Sequence, residues 1–292
     1  MNIQKSFDNE AKGIIYVVPT PIGNLEDITY RALKVLKTVN IIAAEDTRNT
    51  RNLLNHFEIR TPLISYHEHN ELTRADQLLE RVQSGESIAI VSDAGMPAIS
   101  DPGYELVQAA IARDQAVVVL PGANAALCAL VGSGLSAREF YFYGFLPRKK
   151  KDKASELTRL KTIQASLLFY ESPHRIKDTL KVMREQLGNR QVAIARELTK
   201  RFEEYVRGTI DELVTWADEN EQRGEFCIIL EGSSELEEEA TSLWWSHLSI
   251  MDHVNYYIKE KGLSSKEAIK NAATDRKMPK REVYQIFHVN GE

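Results

Sequence analysis

Short runs of apolar, often β-branched residues recur along the first 232 residues, and stretches whose apolar positions have helical spacing lie between them. The runs read IIYVV, NIIAAE, TPLISY, SIAIVS, AVVVL, FYFYGF, SLLFYES, QVAIARE and EFCIILEG. Strand and helix signals that alternate at this spacing predict βαβ units and a mainly parallel sheet. The pattern therefore predicts an α/β fold.

Two changes in this pattern predict how the chain is divided. Pro121 and Gly122 stand before a helix of small residues, so we place the joint between two α/β domains there, with the first spanning residues 1–121 and the second residues 122–234. The length of 292 residues agrees with this division, because single domains usually have about 100 to 150 residues. The acidic stretch SSELEEEATS, residues 233–242, predicts a solvated linker.

Residues 241–292 have no strand pattern and predict a small helical module. Ser264 and Glu267 have the spacing of a capping box, which marks the start of a helix. Pro279 suits the first turn of a further helix, which would carry Val283, Ile286 and Phe287.

Charge is unevenly distributed along the chain. A net charge of −5 argues against nucleic-acid binding by the whole surface. Residues 148–153, RKKKDK, nevertheless carry five basic side chains and one acid, and residues 259–281 carry eight basic against three acidic ones. Either cluster alone is typical of a solvated face, but two of them on an acidic protein point to RNA or DNA phosphates. The candidate phosphate contacts are Arg148, Lys149, Lys150, Lys151, Arg276, Lys277, Lys280 and Arg281.

Cysteine and histidine usage favours a reduced protein without a metal. Cys128 and Cys227 have no metal-type spacing around them and are predicted to be reduced core residues. His67 and His69 are two apart, but no third ligand follows at a telling spacing, so we predict no metal site. The sequence also has neither a secretory signal nor the ~18 apolar residues of a membrane span, which predicts a cytoplasmic protein.

A stiff elbow follows the first apolar run. Pro19 and Pro21 fix φ and remove two backbone donors, while Gly23 can take conformations that other residues avoid. A tight connection between a strand and a helix would explain this, and so would a ligand-binding loop. The pattern leaves both readings open.

The segment VSDAGMPAISDPG, residues 91–103, is the richest in ligand-binding groups. Ser92 to Gly95 bring a hydroxyl, a carboxylate and backbone donors to the carboxyl end of a strand, where open α/β sheets bind ligands. Asp101 repeats the pattern and is a plausible cap for the next helix. We predict a small-ligand loop that is neither a Walker A loop nor a Rossmann fingerprint, because GxxxxGK[ST] and GxGxxG are absent.

Polar tips end several other predicted strands. AAEDTRNTR, residues 43–51, carries Glu45, Asp46, Arg48 and Arg51, although its polar residues would also serve as a helix cap. FYESPHR and ARELTK, residues 169–175 and 195–200, end two strands of the second half in the same way. Such tips from both halves predict that the two domains face one shared cavity.

Five motifs in this order and spacing carry a specific resemblance: VPTPIGNLEDIT, AAEDTRNT, SDAGMPAISDPG, FYESPHR and ARELTK. The chain resembles the ribosomal RNA small-subunit methyltransferase I family, the cytidine 2′-O-methyltransferases of the tetrapyrrole methylase superfamily. The resemblance covers residues 14–232 strongly and the helical tail more loosely. It implies two α/β domains with S-adenosylmethionine in the cleft between them, a homodimer, and small-subunit rRNA or the 30S particle as substrate.

The resemblance also implies site residues. The cofactor loop would be Ser92, Asp93, Ala94 and Gly95, joined by Pro121, Gly122, Ala123 and Asn124. Thr20 and Pro21 of the elbow would form the cleft wall beside the methyl donor. Met96 departs from the family pattern, in which threonine is frequent, and so does PGANA, residues 121–125, whose third and fourth residues vary. Arg48 and Arg51 would join the two basic clusters in holding rRNA phosphates.

Methyl transfer from a sulfonium to a ribose hydroxyl demands alignment above all, and a positioned base should help the weak nucleophile. Asp46, Glu45, Glu171 and Lys200 are the candidates for that base, the lysine only if its surroundings lower its pKa. The sequence does not choose among them. A tetrapyrrole or corrinoid methyltransferase, and a non-catalytic RNA-binding assembly factor, are the alternative functions.

Overall fold

The computed structural model describes residues 3–6, 13–67, 70–234, 245 and 247–289. Five strands in the first part of the chain form one sheet in the order β3-β2-β4-β1-β5, with every pair parallel. The strands are β1 Ile14–Val17, β2 Ile41–Ala44, β3 Leu63–Ser65, β4 Ile88–Val91 and β5 Ala116–Val119. The helices between them are α1 Tyr30–Thr38, α2 Thr47–His56, α3 Glu71–Gln83 and α4 Tyr104–Ala112.

The first sheet is covered on both faces, as its apolar runs predict. Every residue of β2 and β4 is buried, which is typical of central strands in a parallel sheet. One cluster packs around Leu36 of α1, and the other around Leu78 and Leu106 of α3 and α4. The carboxyl ends of β1, β2 and β4 therefore reach the same edge of the sheet.

A second sheet follows in the order β6-β7-β10-β8-β9. Its strands are β6 Phe140–Phe145, β7 Ser166–Glu171, β8 Gln191–Arg196, β9 Glu204–Thr209 and β10 Phe226–Leu230. Helices α5 Ala125–Ser133, α6 Lys150–Leu160, α7 Ile176–Leu187 and α8 Ile210–Glu219 accompany it. The predicted α/β class and its two sheets are confirmed.

The expectation of mainly parallel pairing is wrong for the second sheet. β6 and β7 run parallel, whereas β10 pairs antiparallel with β7 and β8, and β8 pairs antiparallel with β9. Strand β9 was not predicted from the sequence. It is an edge strand with a mixed exposure pattern, and its residues EYVRGT lack the continuous apolar run of a buried strand.

By its internal packing the chain divides into two compact units, residues 1–232 and 233–292. Both sheets belong to the first unit. The narrower boundaries predicted within it, 1–121 and 122–234, stay a prediction. Most of the predicted acidic linker, its residues 235–242, lies outside the described residues.

The second unit contains three helices in its described part, α9 Ile250–Lys259, α10 Ser265–Asp275 and α11 Lys280–Val289. The capping box is present, because Ser264 accepts from the Glu267 N–H and the Glu267 carboxylate accepts from Ser264. Buried Val254, Ile269 and Val283, one from each helix, meet in its core.

Candidate active site

The main cavity of the first unit has a volume of about 410 Å³ and lies between the strand ends of the two sheets. From the first half it is lined by Ile22, Glu45, Asp93, Ala94, Gly95, Met96, Ile99, Ser100, Asp101, Asn124 and Ala125. From the second half it is lined by Phe145, Tyr170, Glu171, Ser172, Pro173, Ala195, Leu198, Glu225, Phe226 and Cys227. The strand tips of both halves therefore converge on one space.

The elbow after β1 is tied to the loop after β4. The backbone N–H of Thr20 and that of Gly95 each donate to the other's carbonyl at 3.0 Å, and Thr20 Oγ1 donates to the carbonyl of Ser92 at 3.1 Å. Gly23 has φ +150°, and a Cβ there would collide with the side chain of Lys200. Thus the elbow lines the cleft and also touches the second half of the unit.

Asp93 is held in a fixed orientation. Its Oδ1 accepts from the Asp46 N–H at 3.1 Å and its Oδ2 accepts from the Asn49 amide at 2.9 Å. Its own N–H donates to Glu45 Oε2 at 3.3 Å. Glu45, Asp93 and Asp101 all line the cavity, and we refer to these three residues as the carboxylate cluster.

Asp101 belongs to the site and not to a helix end. The predicted cap is wrong: α4 begins after Gly103, which has φ +134° and makes no side-chain capping bond. Burial, together with the negative charges of Glu45 and Asp93, raises the pKa of Asp101 to about 6, against a lowering hydrogen bond from Ser92. The sequence placed Asp101 in the same small-ligand loop as Asp93, but it did not predict the raised pKa, which depends on burial and on Glu45.

Two of the four candidate bases, Asp46 and Lys200, are bound by side chains of opposite charge. Asp46 accepts from the backbone N–H and the guanidinium of Arg48, and these bonds lower its pKa to about 2. Lys200 donates to Glu197 at 2.9 Å and to Glu225 at 2.8 Å. Burial alone would lower the pKa of Lys200, but these two carboxylates raise it overall, so the condition for a lysine base is not met.

Glu171 lines the cavity, and both oxygens of its carboxylate accept hydrogen bonds from neighbouring groups. Its Oε1 accepts from the Ser172 N–H at 2.8 Å and its Oε2 accepts from Thr179 Oγ1 at 2.6 Å. Thr179 Oγ1 in turn accepts from the buried ammonium of Lys153 at 2.7 Å. The Arg175 guanidinium completes this buried network 3.4 Å from Glu171. Glu45 is then the one of the four that also belongs to the carboxylate cluster.

The residues expected to bind the cofactor fall into two groups. Asp93, Ala94, Gly95 and Asn124 line the main cavity, and Asn124 also caps α5 by accepting from the Leu127 N–H. Pro121, Gly122 and Ala123 are not among its lining residues, and a Cβ on Gly122 would meet Pro19 of the elbow at 2.6 Å. Close packing accounts for that glycine.

A second cavity of about 500 Å³ adjoins the first. The two share Ile22, Asp93, Ala94 and Glu225. The rest of its lining is Thr20, Pro21, Gly23, Leu25, Asn49, Thr50, Asn52, Leu53, His56, Ser92 and Lys200. The predicted Thr20, Pro21 and Ser92 therefore face this space, and Asp93 and Ala94 form the wall between the two cavities.

The predicted phosphate contacts differ in exposure. Arg51, Arg148, Lys149, Lys150 and Lys151 are exposed, and the Arg48 side chain, paired with Asp46, is 87% exposed. In the second unit Lys277, Lys280 and Arg281 are exposed.

Arg276 is held inside the second unit. Its guanidinium donates to His253 Nδ1 at 3.0 Å and to the Leu248 carbonyl at 2.6 Å, and lies 4.9 Å above the Trp245 ring. These contacts give Arg276 a packing role that its place in a basic sequence does not reveal.

The described residues were also searched for metal sites and for membrane-spanning helices. Within the described ranges no group of three or more His, Cys, Asp and Glu residues is arranged to hold a metal ion. His67 is described, but its predicted companion His69 lies outside the described residues. None of the helices in the described part is long and apolar enough to span a bilayer.

The model of the Tetrapyrrole (Corrin/Porphyrin) Methylases family matches residues 14–214, which is more than half of the chain. The chain belongs to this family. Solved structures share the fold: diphthine synthase has a TM-score of 0.58 at 11% identity, covering 75% of this chain and 89% of its own. Uroporphyrin-III C-methyltransferase of Thermus thermophilus, complexed with S-adenyl homocysteine, has a TM-score of 0.52 at 18% identity, covering 74% and 97%.

Curated relatives define the branch of the family. Ribosomal RNA small subunit methyltransferase I of Bacillus subtilis is 54% identical over 287 residues, with 98% of both chains covered. The protein of the same name from Halalkalibacterium halodurans is 55% identical over 289 residues, with 99% of both covered. Within the tetrapyrrole methylases, the chain therefore belongs with the ribosomal RNA small subunit methyltransferases I, and the resemblance read from its motifs is confirmed.

Proposed function

We propose that this protein is an S-adenosylmethionine-dependent methyltransferase that methylates the 2′-hydroxyl of a cytidine ribose in small-subunit (16S) rRNA. The observation that carries the proposal is a cavity with a carboxylate cluster between two sheets, in a chain 54% and 55% identical over nearly its full length to proteins named for rRNA methylation. The enzyme works in the cytoplasm on rRNA or on the 30S particle.

The main cavity fits S-adenosylmethionine in size and charge. Its volume lies within the range of about 300–1,000 Å³ that is usual for small-molecule sites. Met96, Ile99 and Leu198 offer apolar surface to an adenosyl group. The carboxylate cluster complements a cofactor that carries a sulfonium and an ammonium, and the raised pKa of Asp101 marks the negative charge that such a cation would relieve.

The resemblance assigns the cofactor to Thr20, Pro21, Ser92, Asp93, Ala94, Gly95, Pro121, Gly122, Ala123 and Asn124. We keep Asp93, Ala94, Gly95 and Asn124 as direct contacts, because they line the main cavity. We assign Thr20, Pro21 and Ser92 to the wall, and Pro121, Gly122 and Ala123 to its support.

When bound, the cofactor supplies an electrophilic methyl group. The protein must hold the ribose hydroxyl in line with it and exclude water, and alignment of this kind can contribute about 7–11 kcal/mol. Glu45 and Asp101 are the candidates to take the hydroxyl proton. A carboxyl whose pKa is about 6 is ionised at neutral pH and is more basic than an ordinary aspartate.

Three exposed groups of basic side chains serve the RNA. Arg48 and Arg51 stand near the cavities on α2, and residues 148–151 begin α6. In the second unit Lys277, Lys280 and Arg281 are available, while Arg276 supports them from inside. Changing Lys280 and Arg281 to alanine should weaken binding of small subunits about three- to tenfold and reduce the salt dependence, with cofactor affinity unchanged in calorimetry.

A homodimer accounts for an exposed apolar face of α5. Ala126, Ala129 and Leu130 of this helix pack on the second sheet, whereas Leu127 and Val131 point outward, the latter 78% exposed. A helix that is apolar all round is normally buried. Sedimentation equilibrium should give a dimer for the wild type and a monomer for Val131→Glu.

The central experiment is incubation with labelled S-adenosylmethionine and unmodified small subunits. Label in a 2′-O-methylated cytidine is the expected result. Label in a tetrapyrrole alone would favour the corrinoid alternative, which leaves the basic surfaces unexplained. No transfer to either substrate, with intact RNA binding, would favour a non-catalytic assembly factor.

A further inference from the structure

The second cavity is polar on one side and apolar on the other. Asn49, Asn52 and His56 lie three, four or seven residues apart, on one face of α2 that borders the cavity. Leu53 of the same helix, and Ile22 and Leu25 of the elbow, add apolar surface. Apolar surface beside a few amide groups suits an unpaired nucleobase, whose faces are apolar and whose edge makes hydrogen bonds.

One buried group at this cavity has no hydrogen-bond partner among the residues that the structure describes. Thr50 is only 4% exposed, yet its Oγ1 makes no hydrogen bond within the part of the chain that the structure describes. Such a group is uncommon, since buried hydroxyls normally find a partner, and leaving one unsatisfied costs stability. Thr50 is a lining residue of the second cavity, which places this unsatisfied hydroxyl in the cavity wall.

The amides of the α2 face differ in their engagement. The Asn49 amide nitrogen is bound to Asp93 at 2.9 Å, which ties this helix to the wall between the cavities. For Asn52 no side-chain hydrogen bond exists among the described residues, and its carboxamide offers a donor and an acceptor side by side. A pyrimidine edge presents the complementary pair.

From this arrangement we infer that the second cavity binds the target nucleoside, unpaired, with its base edge at Thr50 and Asn52 and its ribose at the wall formed by Asp93 and Ala94. The inference rests on the proposed function, because it takes the main cavity as the cofactor site. The shared wall then places the ribose next to the carboxylate cluster, and Lys200 closes the opposite side.

The test compares Thr50→Val and Asn52→Ala with Asn55→Ala in the full-length protein. Asn55 is an exposed asparagine of the same helix that lines neither cavity, which makes its variant a matched control. Three quantities are measured for each: kcat/KM with unmodified small subunits, the calorimetric Kd for S-adenosylmethionine, and the melting temperature. For Asn52→Ala, kcat/KM is also measured on small subunits with uridine at the methylated position.

We expect Thr50→Val and Asn52→Ala to lower kcat/KM about five- to a hundredfold, the range of one or two lost base contacts, with Kd for the cofactor within twofold of wild type. Asn52→Ala should also reduce the preference for cytidine over uridine. Thr50→Val should melt at an unchanged or higher temperature, because its hydroxyl makes no hydrogen bond among the described residues that the substitution would remove. Asn55→Ala should match wild type throughout.

Two results would overturn the inference while leaving the proposed function intact. In the first, Thr50→Val and Asn52→Ala methylate small subunits as well as Asn55→Ala does. In the second, either variant weakens S-adenosylmethionine binding, which would give the cavity to the cofactor. A wild-type protein that transfers no label to small subunits would instead refute the proposed function, and the inference with it.

Discussion

The two sheets of the first unit have five described strands each, but they present their polar residues to the cleft differently. In the parallel sheet, β2 and β4 end side by side, and the carboxylates of the cluster face the cavity. Among the described residues, no basic side chain is hydrogen-bonded to Asp93 or Asp101. In the mixed sheet, Glu171 is bound by Thr179, and Lys200 by Glu197 and Glu225. The first half therefore supplies charge for ligands, and the second supplies fixed walls.

The sharpest test of this contrast is Asp93→Ala. The variant loses the bonds that orient α2 and one charge of the cluster, so S-adenosylmethionine affinity should fall at least about a hundredfold, equivalent to roughly 3 kcal/mol. Isothermal calorimetry measures this. Asp76→Ala, which removes a surface carboxylate paired with Arg113, should leave affinity unchanged. Equal affinity in Asp93→Ala and wild type would remove Asp93 from the site.

Gly23→Ala tests the point where the two halves touch. The new Cβ would strain a backbone with φ +150° and collide with Lys200, so we expect a loss of about 1–3 kcal/mol in the free energy of unfolding and at least roughly tenfold in methyl transfer. Urea denaturation and single-turnover kinetics measure the two effects.

Gly85→Ala is the control for Gly23→Ala. Gly85 has φ +96°, but a Cβ there meets nothing within 4 Å, so its variant should lose stability and keep activity. If the two variants had the same activity, the contact with Lys200 would have no functional importance.

Asp101→Asn should change cofactor affinity and the free energy of unfolding in opposite directions. The pKa of Asp101 is raised in the folded protein, from roughly 4 to about 6, so the folded state binds the proton more tightly than the unfolded state does. The associated stability is present below pH 4 and is lost as the pH rises through 6. At pH 8 the amide variant should therefore be more stable by about 2 kcal/mol, yet bind S-adenosylmethionine more weakly.

The measurement for Asp101→Asn is urea unfolding of both proteins at pH 4.5 and pH 8. A stability difference that does not change between the two pH values would contradict the assignment. An unchanged cofactor affinity would exclude Asp101 from the charge balance of the site.

Of these variants, Thr179→Val should have the smallest effect on cofactor binding. It should mainly lower the stability of the cavity wall that the second sheet forms. It removes the hydroxyl that lies between Lys153 and Glu171, so the free energy of unfolding should fall by about 1–2 kcal/mol while cofactor affinity changes less than about threefold. Thr158→Val, at an exposed helix position, serves as control. A large loss of affinity with unchanged stability would give the second sheet a direct role in binding.

The sequence predicted nine of the ten described strands, because buried strands of either direction read as apolar runs. For the same reason, the sequence could not distinguish the antiparallel strand pairs of the second sheet from parallel ones. Residues 197–203 between β8 and β9 are too few for a parallel crossover, which needs a dozen or more, but this signal was hidden because β9 itself was not predicted.

The site was predictable where chemistry and chain position coincide, as for Asp93 at the end of β4. The raised pKa of Asp101 was not predictable, because it depends on burial and on Glu45, which is distant in sequence. The roles of Arg276 and Lys153 were not predictable for the same reason. Both lie in basic stretches of the sequence, but tertiary contacts bury Lys153 and hold Arg276 against His253. A charge count along the chain does not contain that information.

The paired backbone bonds between Thr20 and Gly95 have a consequence for how loop lengths can vary. Inserting or deleting one residue in either loop would offset donors from acceptors and break both bonds at once. The two loops are about 70 positions apart in the sequence, yet an indel in one requires a matching adjustment in the other.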